Sequence, residues 1–438
     1  MGRLWPEVNY LAACKTLAKS SSACESASYF GGCPSACPLT STLMSAPQLR
    51  AAVRALDPTA VRALLANPNA AFTQNDLGFA LCIACRRASP PSKVADIVSV
   101  LLLKSAGVAV HWRDPGRVGS TPLHYAAGSN SVAAAALLIT NGADVNLFNH
   151  APAPYTPLML ASHWNRVEVA SLLLDRGAEV DAMDNTNGLT ALHIACNAGA
   201  VSTARVLIDR GADVSQPRAT GGDTPLLVAA AAGREEIVRL LLSYPNTDVN
   251  HRNAQGATPL IIASQRGHCL VVRRLLAKRA DCYRRLTSGR FKVTALGAAC
   301  RAGHLEIVQV LLAHMSASYD LTMTSVAART RSMRTSCARS MQFRCARTKG
   351  NYSALCHACA NGHVEVVRIL LEFGIDPFRT GRGRNAFDYA RRHPNVRRIL
   401  RPLITLAIRM YVFGRPEDHP RRNQRARDHI PLIASYIV

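Results

Sequence analysis

The sequence predicts an all-α solenoid of stacked helix-turn-helix units, on three observations. A helix-start signature led by Thr recurs at intervals near 34 residues. A Gly or Asn falls nine residues after each start, and a pair of large apolar residues follows at seventeen and eighteen. Self-similarity at such a period marks a repeat architecture, because one short helix pair cannot bury its apolar faces alone.

The starts, in order, are Thr121-Pro122-Leu123-His124, Thr156-Pro157-Leu158-Met159, Thr190-Ala191-Leu192-His193, Thr224-Pro225-Leu226-Leu227, Thr258-Pro259-Leu260-Ile261, Thr294-Ala295-Leu296-Gly297 and Ser353-Ala354-Leu355-Cys356. Thr is suited to cap free backbone N–H groups, and Pro to the first helical position, where no N–H is needed. The Leu two residues on, and the Ala five on (Ala126 in the first unit, Ala358 in the last), are predicted to face neighbouring helices. Each first helix should stop at a left-handed residue: Asn130, Asn165, Gly199, Gly233, Gly267, Gly303 or Gly362. Leu138-Ile139 through Leu370-Leu371 mark the second helices. Gly119, Gly188, Gly222 and Gly256, each two residues before a Thr, predict a closing hairpin turn.

Weaker units flank these. Leu49 to Leu65 reads as a degenerate helix pair, Phe79 to Cys85 and Ile97 to Leu103 as another, and Asn385 to Leu400 as a closing unit with an Arg-rich outer face. A terminal repeat needs such a face to end the stack in water.

Recurrence over seven clear units, with T-P-L-H and its variants at fixed slots, resembles the ankyrin-repeat family. The resemblance implies β-hairpin fingers projecting from the helix pairs and a concave groove built from fingers and first helices. It implies protein binding with no catalysis and no cofactor. The two variable residues before each capping Gly or Asn would face the groove. The candidates are Ser129, His163, Trp164, Asn197, Gln265, Arg266, Arg301 and Asn361. Trp164 reads either as an aromatic anchor for a partner or as a cover over the neighbouring unit. The change from an Ala-rich stretch to Arg266 and Arg301 suggests a partner apolar at one end and acidic at the other. Asn146 and Asn250, each preceded by Asp-Val, fit the family's pattern for asparaginyl hydroxylation.

Charge is unevenly spread. The net +24 over 438 residues includes +6 within 317–350 and +10 within 377–438, so the repeated body is far less basic. The expected organisation is a disordered N-terminal segment over 1–47, repeats over 48–316 and a basic disordered insertion over 317–350. Further repeats and a cap cover 351–404, followed by a basic tail over 405–438. The insertion reads as looped-out chain, with a remnant of unspliced intron as the alternative. Arg329 and Ser332 have basophilic kinase-site spacing. Arg421, Arg422, Arg425 and Arg427 form a basic patch, and Tyr436-Ile437-Val438 resembles one class of PDZ ligand.

The longest apolar run, Leu403 to Phe413, contains Arg409, which argues against a membrane span. Glu7 and Asn9 interrupt the first apolar stretch, which argues against a secretory signal. With fourteen cysteines predicted to be free thiols, the expectation is a soluble, monomeric protein of the cytoplasm or nucleus.

Several residues invite a chemical reading. Cys82 and Cys85, and Cys356 and Cys359, have the spacing of a zinc half-site. Yet Cys85, Cys196, Cys300 and Cys359 share one repeat slot with Ala127, Ser162, Ala230 and Ser264, so packing explains them. Cys33 and Cys37 lie outside the repeat. His124 and His193 share a slot where the family uses His structurally, and His268, His304 and His363 follow the capping Gly in the family manner. No phosphate loop, nucleophile elbow or H-E-x-x-H motif is present, and the metal expectation is none. Two further functional readings remain open: an adaptor recruiting substrates to a ubiquitin ligase, and a nuclear regulator whose basic segments touch nucleic acid.

Overall fold

The computed structural model describes residues 38–87, 90–105, 108–116, 119–286, 293–324, 354–375, 377 and 385–412. Cys33, Cys37, Arg329, Ser332 and the basic and apolar motifs after residue 412 lie outside these. Among the described residues, twenty α-helices form ten consecutive pairs. The pairs are α1 (Pro38–Arg54) with α2 (Pro58–Ala66), α3 (Gln74–Cys85) with α4 (Pro91–Ser105), α5 (Pro122–Ser129) with α6 (Val132–Thr140), α7 (Pro157–His163) with α8 (Val167–Asp175) and α9 (Ala191–Ala198) with α10 (Val201–Asp209). They continue as α11 (Pro225–Ala232) with α12 (Glu235–Leu241), α13 (Pro259–Arg266) with α14 (Cys269–Ala277), α15 (Ala295–Ala302) with α16 (Leu305–Thr324), α17 (Ala354–Asn361) with α18 (Val364–Glu372), and α19 (Ala386–Ala390) with α20 (Pro394–Val412). Helices cross three of the expected boundaries: α1 begins before 48, α16 runs past 316, and α20 runs past 404.

The slots do what their chemistry predicts. Leu123, Leu158, Leu192, Leu226, Leu260, Leu296 and Leu355 are buried, and every Ala three residues further on is fully enclosed. The first member of each second-helix pair, such as Leu138, Leu173 or Leu207, is also fully enclosed. Burying a Leu contributes about 2 kcal/mol, so the stack is held chiefly by this repeated contact. First helices pack on one another more intimately than second helices do. Small Ala side chains permit that close approach of the first helices.

All seven predicted caps are left-handed, with φ of 63° at Asn130, 54° at Asn165 and 70° to 87° at the five glycines. The β-hairpin fingers are present as turns without a ladder. Among the described residues there is no strand, and the one isolated bridge joins Asp114 to Ser120. The fingers are closed by backbone bonds within the turn: the Asp184 N–H donates to the Leu189 carbonyl (3.1 Å) and the Gly188 N–H back to the Asp184 carbonyl (3.1 Å), and the Arg218 N–H to the Asp223 carbonyl (3.0 Å) with the Gly222 N–H back to the Arg218 carbonyl (3.2 Å). Neighbouring fingers are tied in turn, the Thr220 N–H donating to the Asn187 carbonyl and the Ala254 N–H to the Gly221 carbonyl.

The segment between α16 and α17 does not interrupt the stack. α15 packs directly against α17, and His363 Nε2 donates to the Arg301 carbonyl at 3.1 Å across 62 residues of sequence. At the end of the stack, Val396 and Leu400 are buried while Arg397, Arg398 and Arg401 point to water.

Candidate binding groove

The groove candidates stand at the C-terminal ends of first helices, where the left-handed cap turns the chain. They are not equivalent. Ser129 is half-buried, and its hydroxyl donates to the Cys85 carbonyl at 2.6 Å, so it clips one unit to the previous one. Trp164 is 43% exposed. Its ring meets the His163 imidazole edge to face at 5.0 Å, and a Cβ added to Gly128 would lie 3.8 Å from its Cδ1. Trp164 therefore leans across the preceding unit while keeping an open face. Burial holds the His163 imidazole below its ordinary pKa. Asn197, Arg266, Arg301 and Asn361 are exposed, with Asn361 Nδ2 donating to the His357 carbonyl at 2.9 Å. Among the described residues, Arg266 and Arg301 form no ion pair.

Gln265 and Arg266 are brought together with finger residues around a small recess open to solvent. Leu227, Ala231 and Ile262 form its apolar floor, and Arg218 and Asp223 lie at one wall. Arg218 Nη2 pairs with Asp223 Oδ2 at 2.5 Å, and Asn253 Nδ2 donates to Asp223 Oδ1 at 2.7 Å. Sequence reasoning missed these finger residues, yet a slot-by-slot comparison carries the signal. Asp114, Asn149, Asp184 and Asn253 open their fingers and accept backbone N–H bonds from within the turn, as in Asp184 Oδ1 from the Leu189 N–H at 2.7 Å. In the corresponding place the fourth clear unit has Arg218.

A second feature passed unnoticed in part. Beside His268, His304 and His363, the residue directly before the second helix is Arg166, Arg234 or His393 in other units. Each of these side chains donates to the carbonyl two residues before the preceding unit's cap, at 3.0 to 3.3 Å. These histidines are rungs between units, which leaves them little freedom for other chemistry.

His124 and His193 are likewise spent. His124 Nε2 donates to the Tyr155 carbonyl (2.9 Å) while Nδ1 takes the Thr121 hydroxyl proton (2.7 Å), and His193 repeats this with Asp223 (3.1 Å) and Thr190 (2.9 Å). Burial pushes both imidazoles down to about 4. The Cys85, Cys196, Cys300 and Cys359 thiols are buried, and burial pushes each of them up, away from the thiolate that a metal or an electrophile would need. Among the described residues, no three His, Cys, Asp or Glu side chains gather as a metal would require. Asn146 Oδ1 accepts the Glu179 N–H (2.9 Å) and Asn250 Oδ1 the Asp281 N–H (2.8 Å), so both also link successive units.

Family models for ankyrin repeats, in three copies, match residues 49–149, 147–218 and 216–285, and a model for many copies matches 266–312 and 355–400. The chain belongs to the ankyrin-repeat family. No curated protein matches it. Ankyrin repeats are generally protein-protein interaction modules, and the family is generally a non-catalytic scaffold. Among the described residues, no helix of this ankyrin-repeat chain is long and apolar enough to cross a membrane.

Proposed function

We propose that the chain is a non-catalytic scaffold that binds partner proteins along the concave groove, through Trp164, Asn197, Gln265, Arg266, Arg301 and Asn361. Repeats over 48–316 and 351–404 supply the surface, and the basic segments over 317–350 and 405–438 stand outside it. The observation that supports this reading is the contrast within each unit. Core and inter-unit slots are filled and hydrogen-bonded, while the slots before the caps hold dissimilar side chains, nearly all exposed or half-buried. Large exposed aromatics and arginines at such slots are the residue types that dominate binding energy at interfaces.

The experiment is affinity purification of the full chain with mass spectrometry, beside the Trp164→Ala and Arg301→Glu variants. The partners captured by the unaltered chain are expected to be lost from one or both variants, each keeping its helical circular dichroism. Undiminished capture by both would overturn the assignment of the groove. The salt dependence of capture separates this reading from nucleic-acid contact by the basic segments, which would fall steeply as counterions are added.

A further inference from the structure

The fourth clear unit departs from its neighbours twice, and both departures meet at the same place. Before the caps, neighbouring first helices end in His163-Trp164, Asn197-Ala198 and Gln265-Arg266, whereas α11 ends in Ala231-Ala232. The missing side chains open the recess and leave Leu227, Ala231 and Ile262 as its floor. The same unit's finger has Arg218 where the fingers on either side have Asp184 and Asn253, and the Arg218–Asp223 pair lines the recess. That pair is nearly neutral as a whole. Exposed Arg266, also on the rim, is then the uncompensated charge of the recess, and exposed Arg301 occupies the groove slot of the next unit along.

We propose that this recess is the anchor pocket for an extended acidic segment of a partner protein. The segment seats one apolar side chain on Leu227, Ala231 and Ile262 and sets neighbouring carboxylates against Arg266 and then Arg301. This rests on the groove reading above and names the chemistry of its partner. Charge complementarity selects the occupant. A basic segment would meet Arg266 unshielded at the mouth, and a neutral apolar one would leave that guanidinium facing a desolvated contact. An apolar residue flanked by Asp or Glu satisfies floor and rim together, and guanidinium pairs well with carboxylate in two-point geometry.

A phage-displayed library of random linear dodecapeptides, panned on the full chain, tests this. Enriched peptides are then measured by fluorescence anisotropy. They are expected to carry an apolar residue beside Asp or Glu, and to bind about tenfold or more weakly to Arg266→Glu and to Ala231→Phe, which fills the recess. Arg266→Lys should retain part of the affinity, and exchanging the peptide carboxylates for Lys should recover binding to Arg266→Glu. Arg266 is exposed, so its variants keep the fold even if Ala231→Phe does not. Failure to enrich any peptide, enrichment of neutral or basic peptides, or indifference to Arg266→Glu overturns the proposal. Peptides that depend on Trp164 but not on Arg266 or Ala231 overturn the recess and leave the groove reading standing. Peptides indifferent to all three overturn both.

Discussion

The third residue of a first helix decides whether the capping hydroxyl before it gains a ring as partner. Where it is His124 or His193, the ring takes the Thr proton on one nitrogen and donates to the next finger with the other. Where it is Leu227, the Thr224 hydroxyl is buried with no partner, and the unit lacks that rung. The neutral ring is essential to this arrangement, because a protonated Nδ1 could no longer accept. His124, His193 and His357 are all held down to about 4 by burial, against an ordinary value of 6.5. The unfolded chain therefore takes up these protons first as pH falls. Stability is fully present above about pH 6.5 and declines toward pH 4, by about 1.4 kcal/mol per pH unit for each ring. Urea unfolding at pH 7.5 and pH 5 should show a clearly lower midpoint at pH 5, with a shallower dependence in His193→Gln. Matching midpoints would contradict the neutral-ring arrangement.

Within the helix pairs, the cap and the rung are coupled. At Gly233, Gly267, Gly303 and Gly362 glycine is needed for its left-handed φ and for space, since a His ring of the next unit lies over it. A Cβ at Gly267 would sit 2.7 Å from His304 Cε1, and one at Gly233 would clash with the His268 ring, 2.6 Å from its Cε1. The two Asn caps are followed in the next unit by Arg166 and Ala200, which place no ring there. Gly233→Ala is expected to cost about 1–2 kcal/mol from the left-handed backbone alone, with a further penalty from displacing His268. Because His268→Ala removes the obstruction, the double variant should lose less stability than the sum of the two single variants in urea titrations. Strict additivity would show that ring and cap do not compete for space.

On the scale of the whole molecule, the stack is a sum of neighbour contacts, and α15 finds its neighbour in α17 despite the long excursion between them. Loop length enters stability only logarithmically. Replacing residues 325–350 by a Gly-Ser linker of about ten residues should change the unfolding free energy by about 1 kcal/mol or less, with helical circular dichroism per residue maintained. A melt that splits into two transitions after the replacement would instead make the segment part of the cooperative stack. The net charge of the rim is also a whole-molecule property. Arg218 is neutralised by Asp223 within its own finger, so Arg266 and Arg301 set the sign of the groove's second half.

The sequence by itself determined the all-α repeat, its register, its left-handed caps and the packing role of the slot shared by Cys85, Cys196, Cys300 and Cys359. Each of these follows from spacing along the chain, which a period near 34 residues displays seven times. Tertiary structure alone decided how side chains in different units meet. The slot that proposes Ser129 for the groove cannot show its hydroxyl bonded to Cys85 one unit back, nor Trp164 resting on Gly128. The hairpin expectation became a short turn without a ladder, closed by backbone bonds inside each finger. The recess emerges only when Ala231, Arg218 and Arg266, drawn from a helix end, a finger and the next unit, are placed around one space. A linear pattern records which residue fills a slot. Only packing decides what that side chain faces, because the neighbours that define a surface lie about one repeat away in sequence.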